Sequence, residues 1–245
     1  MIRNVSSAFY SSAGSRKRNE DAVAIFTCQD TFFGVIADGI GSLPGGTNAS
    51  NITLKTLAGD LTNEGISAQA VRDALTDANT RILNDPSFSQ SKSTVALLWM
   101  EEDDALAANI GDTRIYQIRD GKITFQSADH SVAASLARAG ELNPEEVRTS
   151  KSRHQLTKAL GSYDDPNPDI HLLSVRPGDA FLICSNGFWE KVSETEMLDT
   201  LEKTMTDSLS DAAEDPAADW LTAMRGRFDQ AAGDNHSAIT LIIRG

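Results

Sequence analysis

Two cysteines, four histidines and no apolar run near the length of a bilayer helix set the first limits on this 245-residue chain. A membrane-crossing helix needs ~20 consecutive apolar residues, and the N-terminus lacks the basic-then-apolar layout of a signal peptide. A soluble, cytoplasmic protein is therefore expected. Cys28 and Cys184 each sit inside an apolar, strand-like run. That suits small buried hydrophobes in a reducing compartment and argues against a disulfide framework. His130, His154, His171 and His236 are not paired at ligand spacing. Zinc would ask for such pairs, so each histidine reads as structural or solvent-facing. A nucleophile elbow, a Walker loop and a Cys-His pairing are also missing. Base is scarce too: 22 Lys and Arg against 35 Asp and Glu leave a net charge of −13. Nucleic acid and anionic membrane would be repelled, and neither is expected as a partner. No Pro/Gly/Ser-rich linker and no internal repeat divides the chain, so residues 1–245 are expected to form a single domain with a substantial core.

What is present centres on Phe32-Phe33-Gly34-Val35-Ile36-Ala37-Asp38-Gly39-Ile40-Gly41. An apolar, β-branched and aromatic run cut off by glycine reads as a buried strand that delivers one carboxylate, Asp38, to its exposed end. Gly39 lets the backbone approach a ligand, so its carbonyl can act as a second oxygen donor. Taken alone this is an ordinary Asp-Gly turn; its recurrence gives it weight. Gly111-Asp112 lies between two strands, Ser185-Asn186-Gly187 follows another, and Gly233-Asp234-Asn235 precedes the last.

Strands are expected at 5–11 and 21–27, joined by a basic turn from Gly14 to Asp21 that ends in two acids. A short connection at Gln29-Asp30 would pair the second strand with the next and bring Asp21 towards Asp38. After the turn at Leu43-Pro44-Gly45-Gly46, helices are expected over 48–61 and from the Ser67 cap through Val71, Leu75, Ala78 and Ile82 to Asp85-Pro86. Strands follow at 94–100, 105–110, 114–118 and 122–126, the last two about Asp120-Gly121. Short helices at 131–140 and 144–150 carry little large apolar content. A strand is read at 156–160, then a hairpin of 170–175 with 180–185 about Arg176-Pro177-Gly178-Asp179. Ser193 and Glu196 form a capping box, and Asp215-Pro216 opens a helix with Trp220, Met224 and Phe228 on one side. A final strand runs from 236 to 243. This order suggests an α+β fold of two stacked antiparallel sheets flanked by helices.

Oxygen donors at Asp38, Asp112, Asn186 and Asp234 describe a hard-cation site, for which Mg2+ or Mn2+ is suited. A pair of close cations makes water a nucleophile near neutral pH and allows in-line attack on phosphate. Arg16 is the candidate clamp for the phosphate oxygens, through its bidentate fork.

These residues resemble a known family. Arg16-x-x-Asn19-Glu20-Asp21, Ala37-Asp38-Gly39-Ile40-Gly41, Gly111-Asp112-Thr113-Arg114, Asp129-His130-Ser131, Leu156-Thr157-Lys158-Ala159-Leu160-Gly161, Cys184-Ser185-Asn186-Gly187-Phe188-Trp189 and Asp234-Asn235 occur in the order seen in metal-dependent type 2C (PPM) serine/threonine protein phosphatases, in their compact bacterial form. The resemblance implies a four-layer α/β/β/α sandwich and hydrolysis of phosphoserine and phosphothreonine in proteins, reversing a bacterial Ser/Thr kinase in signal transduction. It further implies that Asp38 bridges two Mn2+ or Mg2+ ions, with Gly39 lending its carbonyl and Asp234 and Asn186 completing one metal. Asp112 would hold a weaker third ion, Asp21 would orient the attacking water and Arg16 would bind phosphate. Residues 131–155 would form a flap that shapes access. A monomer is expected, and the Gly187-Phe188-Trp189-Glu190 ending resembles phosphatases that accompany a threonine kinase in type VI secretion.

Two departures from the family pattern stand out. Asn186 occupies a position where the family has aspartate, and an amide brings no charge; a weakened metal site is expected, since losing even an outer partner costs ~10 to 100-fold in affinity or activity. No histidine follows Asp38-Gly39, so the leaving oxygen must take its proton elsewhere. Two other readings compete: a catalytically silent phosphatase-like module that captures a phosphorylated partner, and an acidic cation-binding domain without phosphate chemistry.

Overall fold

The computed structural model of the protein describes residues 5–28, 31–40, 45–61, 66–86, 90–210, 215–227 and 233–244. The connection at Gln29-Asp30, Gly41, the Leu43-Pro44 part of the following turn and Phe228 lie outside the described residues. In order, the elements are β1 (Val5–Ser12), β2 (Asp21–Cys28), β3 (Thr31–Gly39), α1 (Gly46–Leu61), α2 (Ala68–Leu83), β4 (Ser93–Glu101), β5 (Asp104–Ile110), β6 (Arg114–Arg119) and β7 (Lys122–Gln126). Then come α3 (Val132–Arg138), a 3-10 helix (Pro144–Thr149), β8 (Asp169–Ser174), β9 (Ala180–Cys184), α4 (Asn186–Trp189), α5 (Glu194–Ser210), α6 (Pro216–Arg225) and β10 (His236–Ile243).

The strands form two five-stranded sheets, ordered β2-β3-β4-β5-β8 and β1-β10-β9-β6-β7, and every pairing is antiparallel. Strands covered on both faces read as continuous apolar runs, because side chains alternate between two cores. In β3, Phe33 and Val35 face α1 and α2, whereas Phe32 and Ile36 enter the layer between the sheets. β4 repeats this with Val95, Leu97 and Trp99 on the helix side and Ala96, Leu98 and Met100 inside. On the other sheet, Leu182 and Ala238 meet Trp189, Met197 and Trp220 of the second helical layer, while Phe181, Ile183 and Ile239 fill the middle. The four-layer sandwich expected from the sequence is the observed fold.

Local signals act as read. The Ser67 hydroxyl accepts from Ala70 N–H, Asp215 caps α6 through Ala218 N–H, and Ser193 and Glu196 exchange their side-chain bonds. Each satisfies amides that a helix start leaves unpaired. Asp120 and Gly121 both adopt positive φ, as their tight turn requires.

Two expectations are corrected. The segments at 170–175 and 180–185 are not a hairpin: β8 pairs with β5 in one sheet and β9 with β10 and β6 in the other. The turn between them is the corner at which the chain changes layer. Its Asp179, fully buried, accepts the Arg119 fork at 2.7 and 2.6 Å and the Arg176 amide at 3.0 Å. Residues 156–160 are not a strand either; only Leu156 and Leu160 make single bridges, to Ser131 and Ser93. Residues 131–155 carry α3 and the 3-10 helix, and Ala133 and Val147 there are buried. Among the described residues no helix is long and apolar enough to cross a membrane.

Candidate metal centre

At one end of the sandwich, where both sheets present their strand ends, Arg16, Asp38, Gly39, Asp112, Asn186 and Asp234 line a single cavity of about 230 Å³. Residues separated by more than two hundred positions thus meet. Asp38 is delivered by β3, and its ladder partner on β2 is Asp21. Asp112 sits in the turn between β5 and β6, Asn186 begins α4 directly after β9, and Asp234 precedes β10. One sheet therefore contributes Asp21 and Asp38, and the other Asn186 and Asp234.

Small polar contacts fix this meeting. Asn235 donates to the Ala13 and Arg18 carbonyls at 3.0 and 2.9 Å and accepts from Glu20 N–H at 2.9 Å, which lays the Arg16 loop against the Asp234 turn. Gly187 lets the start of α4 approach the same turn: a Cβ there would stand 2.1 Å from the Asn235 carbonyl oxygen. Asp21 stands beside the cavity and is not part of its wall. Its Oδ2 accepts from Ser185 Oγ at 2.9 Å and Ser237 Oγ at 2.6 Å, bonds that cross from one sheet to the other.

The Asp112 turn is held from two sides. Trp189 Nε1 donates to the Asp112 carbonyl at 2.8 Å. The Arg114 guanidinium lies over the Trp189 ring at 3.5 Å and forks onto Asp129 at 2.8 and 2.7 Å. On the other side, His130 Nδ1 accepts from Gly111 N–H at 3.0 Å, and His130 N–H donates to the Gly111 carbonyl at 2.8 Å.

Electrostatically the cluster is ill suited to standing alone. Burial raises the Asp38 carboxyl well above the usual carboxylate range, and the charges of Asp21 and Asp112 raise it further. Asp21 is raised by burial against the opposing pull of the Ser237 and Ser185 hydroxyls. Burial, aided by Asp129, pushes Asp112 up to about 7. Acids that disfavour one another's charge in this way are relieved by a cation. Among the described residues the Oδ1 atoms of Asp21 and Asp112 are buried without a hydrogen-bond partner, an unusual state that a cation or its water would satisfy. Among the described residues no three carboxylate, imidazole or thiolate groups could by themselves enclose a metal. The donor set mixes carboxylates with the Asn186 amide and the Gly39 carbonyl, oxygen chemistry that fits Mg2+ or Mn2+ and their retained waters.

Arg16, at the mouth of the cavity, pairs with Asp234 at 2.9 Å. His154 also lines the cavity, with Nδ1 3.6 Å from Glu190 Oε1. It is exposed, in keeping with the solvent-facing role read from the sequence, and it stands at the cavity wall as well. Isolated in a polar segment, it carries no periodic signal that could have marked it. Asn235, Trp189 and His130 stand in the motifs quoted from the sequence, but their supporting bonds depend on contacts distant in the chain.

The family model described as protein phosphatase 2C matches residues 10–224. A serine/threonine phosphatase, Stp, of Listeria welshimeri is 27% identical over 210 residues, covering 81% of this chain and 82% of that protein. The crystal structure of serine/threonine phosphatase Stp1 from Staphylococcus aureus superposes with a TM-score of 0.84 at 25% identity, covering 100% of this chain and 96% of that one. PppA, a key regulatory component of the type VI secretion system in Pseudomonas aeruginosa, is similar with a TM-score of 0.74 and 26% identity over 98% of both chains. With the profile spanning most of the sequence and the cavity assembling the acids at its strand ends, the chain belongs to the protein phosphatase 2C family.

Proposed function

We propose that the protein hydrolyses phosphoserine and phosphothreonine side chains of other proteins at the cavity that joins Asp38, Asp112, Asn186, Asp234 and Arg16. The activity is metal-dependent protein dephosphorylation, as its family membership states. The observation that carries the residue assignment is the convergence of these groups on one cavity. Asp38, the Gly39 carbonyl, Asn186 and Asp234 would hold the core cations, and Asp112 a weaker further one. Bound Mn2+ or Mg2+ supplies positive charge for the phosphoryl oxygens and a water acidified towards neutral pH. Asp21, the ladder partner of Asp38, would orient the nucleophilic water. Arg16 is suited to fork onto the phosphoryl oxygens, exchanging its Asp234 partner for substrate.

The leaving serine or threonine oxygen needs a proton, and His154 is the imidazole of the cavity wall. Glu190 Oε1 lies 3.6 Å from Nδ1, which leaves Nε2 as the ring nitrogen available to serve as the donor. Residues 131–155 would then act as a flap carrying this acid. Arg148 of that segment bonds Glu194 at 2.6 Å, and Arg153 bonds Glu190 at 2.9 Å, which supports a defined position for it. The similarity to PppA, a key regulatory component of type VI secretion, supports that system as one setting; a cytoplasmic role opposite a Ser/Thr kinase belongs to the same proposal.

The test is release of phosphate from a phosphothreonine peptide at saturating Mn2+, beside Asn186→Asp. Low, metal-dependent turnover that rises with the substitution is expected. Equal, metal-independent rates in both would defeat the assignment, and binding without turnover in both would favour a silent capture module.

A further inference from the structure

A second cavity, of about 200 Å³, adjoins the candidate metal centre and shares Ile40, His154 and Leu156 with it. The remainder of its wall includes Lys92, Lys158 and Tyr163, and among the described residues it contains no carboxylate. On a chain with 35 acids and 22 bases, a cationic recess beside an acidic pocket is a local reversal of sign. Lys158 is already committed, to Asp169 Oδ1 and the Asn167 carbonyl, both at 3.1 Å. Lys92 is half-buried, and among the described residues no carboxylate pairs with its ammonium. Tyr163 is 66% exposed, so its ring is accessible to a segment lying across the recess.

The recess is built on rigid supports. Asn79, buried in α2, donates to the Tyr163 and Asp164 carbonyls at 2.8 and 3.1 Å and accepts from Gly161 N–H at 2.8 Å. Gly161 has φ +81, and a Cβ there would stand 2.4 Å from the Ser91 carbonyl oxygen, so the loop is pressed onto the residue preceding Lys92. Leu160 and Ser93 exchange backbone bonds at 3.2 and 2.8 Å on the other side of Lys92. Lys92 and Tyr163 are thereby fixed relative to each other and to the phosphate-binding mouth.

We propose that this recess is a substrate subsite for an acidic side chain flanking the phosphorylated residue, with Lys92 pairing its anion and Tyr163 covering the peptide beside it. The inference rests on the phosphatase reading for what the adjoining pocket holds. Carboxylate and phosphoryl groups share the required chemistry, so either a glutamate or a second phosphorylated residue qualifies.

The experiment compares phosphothreonine peptides that carry Glu, phosphoserine, Ala or Lys at the flanking positions, for the intact protein, Lys92→Ala, Lys92→Glu and Tyr163→Ala. Hydrolysis and calorimetric binding are both read, with p-nitrophenyl phosphate as a substrate too small to reach the recess. Acidic peptides are expected to exceed the Ala peptide in kcat/KM by roughly three- to tenfold, mainly through KM, as a part-buried ion pair allows. Lys92→Ala should remove that preference and Lys92→Glu should turn it towards the Lys peptide, while p-nitrophenyl phosphate turnover stays unchanged. The better of the Glu and phosphoserine peptides identifies the anion. Equal use of all peptides, or a preference that survives Lys92→Ala, overturns the subsite. If nothing is hydrolysed, the phosphatase reading fails separately, and a Lys92-dependent preference in binding, or its absence, still decides the subsite.

Discussion

The Asn186 amide nitrogen lies 3.5 Å from Asp112 Oδ2, so a neutral side chain faces this acid where the family pattern would place another carboxylate. The amide softens repulsion around Asp112, whose carboxyl burial already pushes to about 7. It also removes one negative charge from the cation site. Asn186→Asp is expected to tighten Mn2+ binding by ~10 to 100-fold, read by titration calorimetry, with phosphatase rate rising in parallel. Unchanged affinity would remove Asn186 from the donor set.

Arg16 and Asp234 form an ion pair whose side chains are 57% and 43% exposed. Exposed pairs contribute about 0–1 kcal/mol, so Arg16→Ala should leave thermal stability nearly unchanged. Phosphate affinity should fall and KM should rise, while metal binding stays intact. Retained phosphate affinity would show that the guanidinium serves Asp234 alone.

His154→Asn discriminates by leaving group. General acid catalysis contributes ~10² to 10⁴-fold where the departing oxygen is strongly basic. Phosphothreonine peptide turnover should fall by that order, and p-nitrophenyl phosphate, whose phenolate leaves unaided, should lose little. A similar loss on both substrates would assign His154 to positioning.

His130 predicts a pH dependence of stability. Its Nδ1 accepts from Gly111 N–H and its Nε2 faces Asp169 at 3.1 Å, so the ring is held neutral; burial lowers its pKa against the opposing pull of Asp169. The unfolded chain takes up the proton first. The contribution is therefore fully present above the usual histidine value and is lost as pH falls towards the folded one, at up to about 1.4 kcal/mol per pH unit. Urea unfolding at pH 7.5 and at successively lower pH should show this decline, and His130→Asn should flatten it. An equal slope in both proteins would place the titration elsewhere.

The parts of the fold legible in sequence were those written locally. β3 and β4 announce themselves because burial on both faces leaves uninterrupted apolar runs, and Ser67, Ser193 and Asp215 mark helix starts by bonds within three residues. Strand-end donors were readable because a glycine stands beside Asp38, Asp112, Asn186 and Asp234 at the end or start of an apolar run. The corner at Arg176-Pro177-Gly178-Asp179 was misread, since the same residues suit a hairpin and a change of layer; the Arg119 fork that decides it lies sixty positions away. Leu156 and Leu160 alternate like a strand, but Thr157 N–H bonds the His130 carbonyl at 2.8 Å instead of a ladder. His154 gave no pattern at all.

The corner at Asp179 and the bonds from Ser185 and Ser237 to Asp21 join layers that otherwise meet through interlocked hydrocarbon. Cations gripped by Asp38 on one layer and Asp234 on the other would act as rivets through that seam. Ion occupancy and cohesion of the sandwich then become a single equilibrium, so chelation should lower the melting temperature and raise amide exchange first at the ends of β3 and β10.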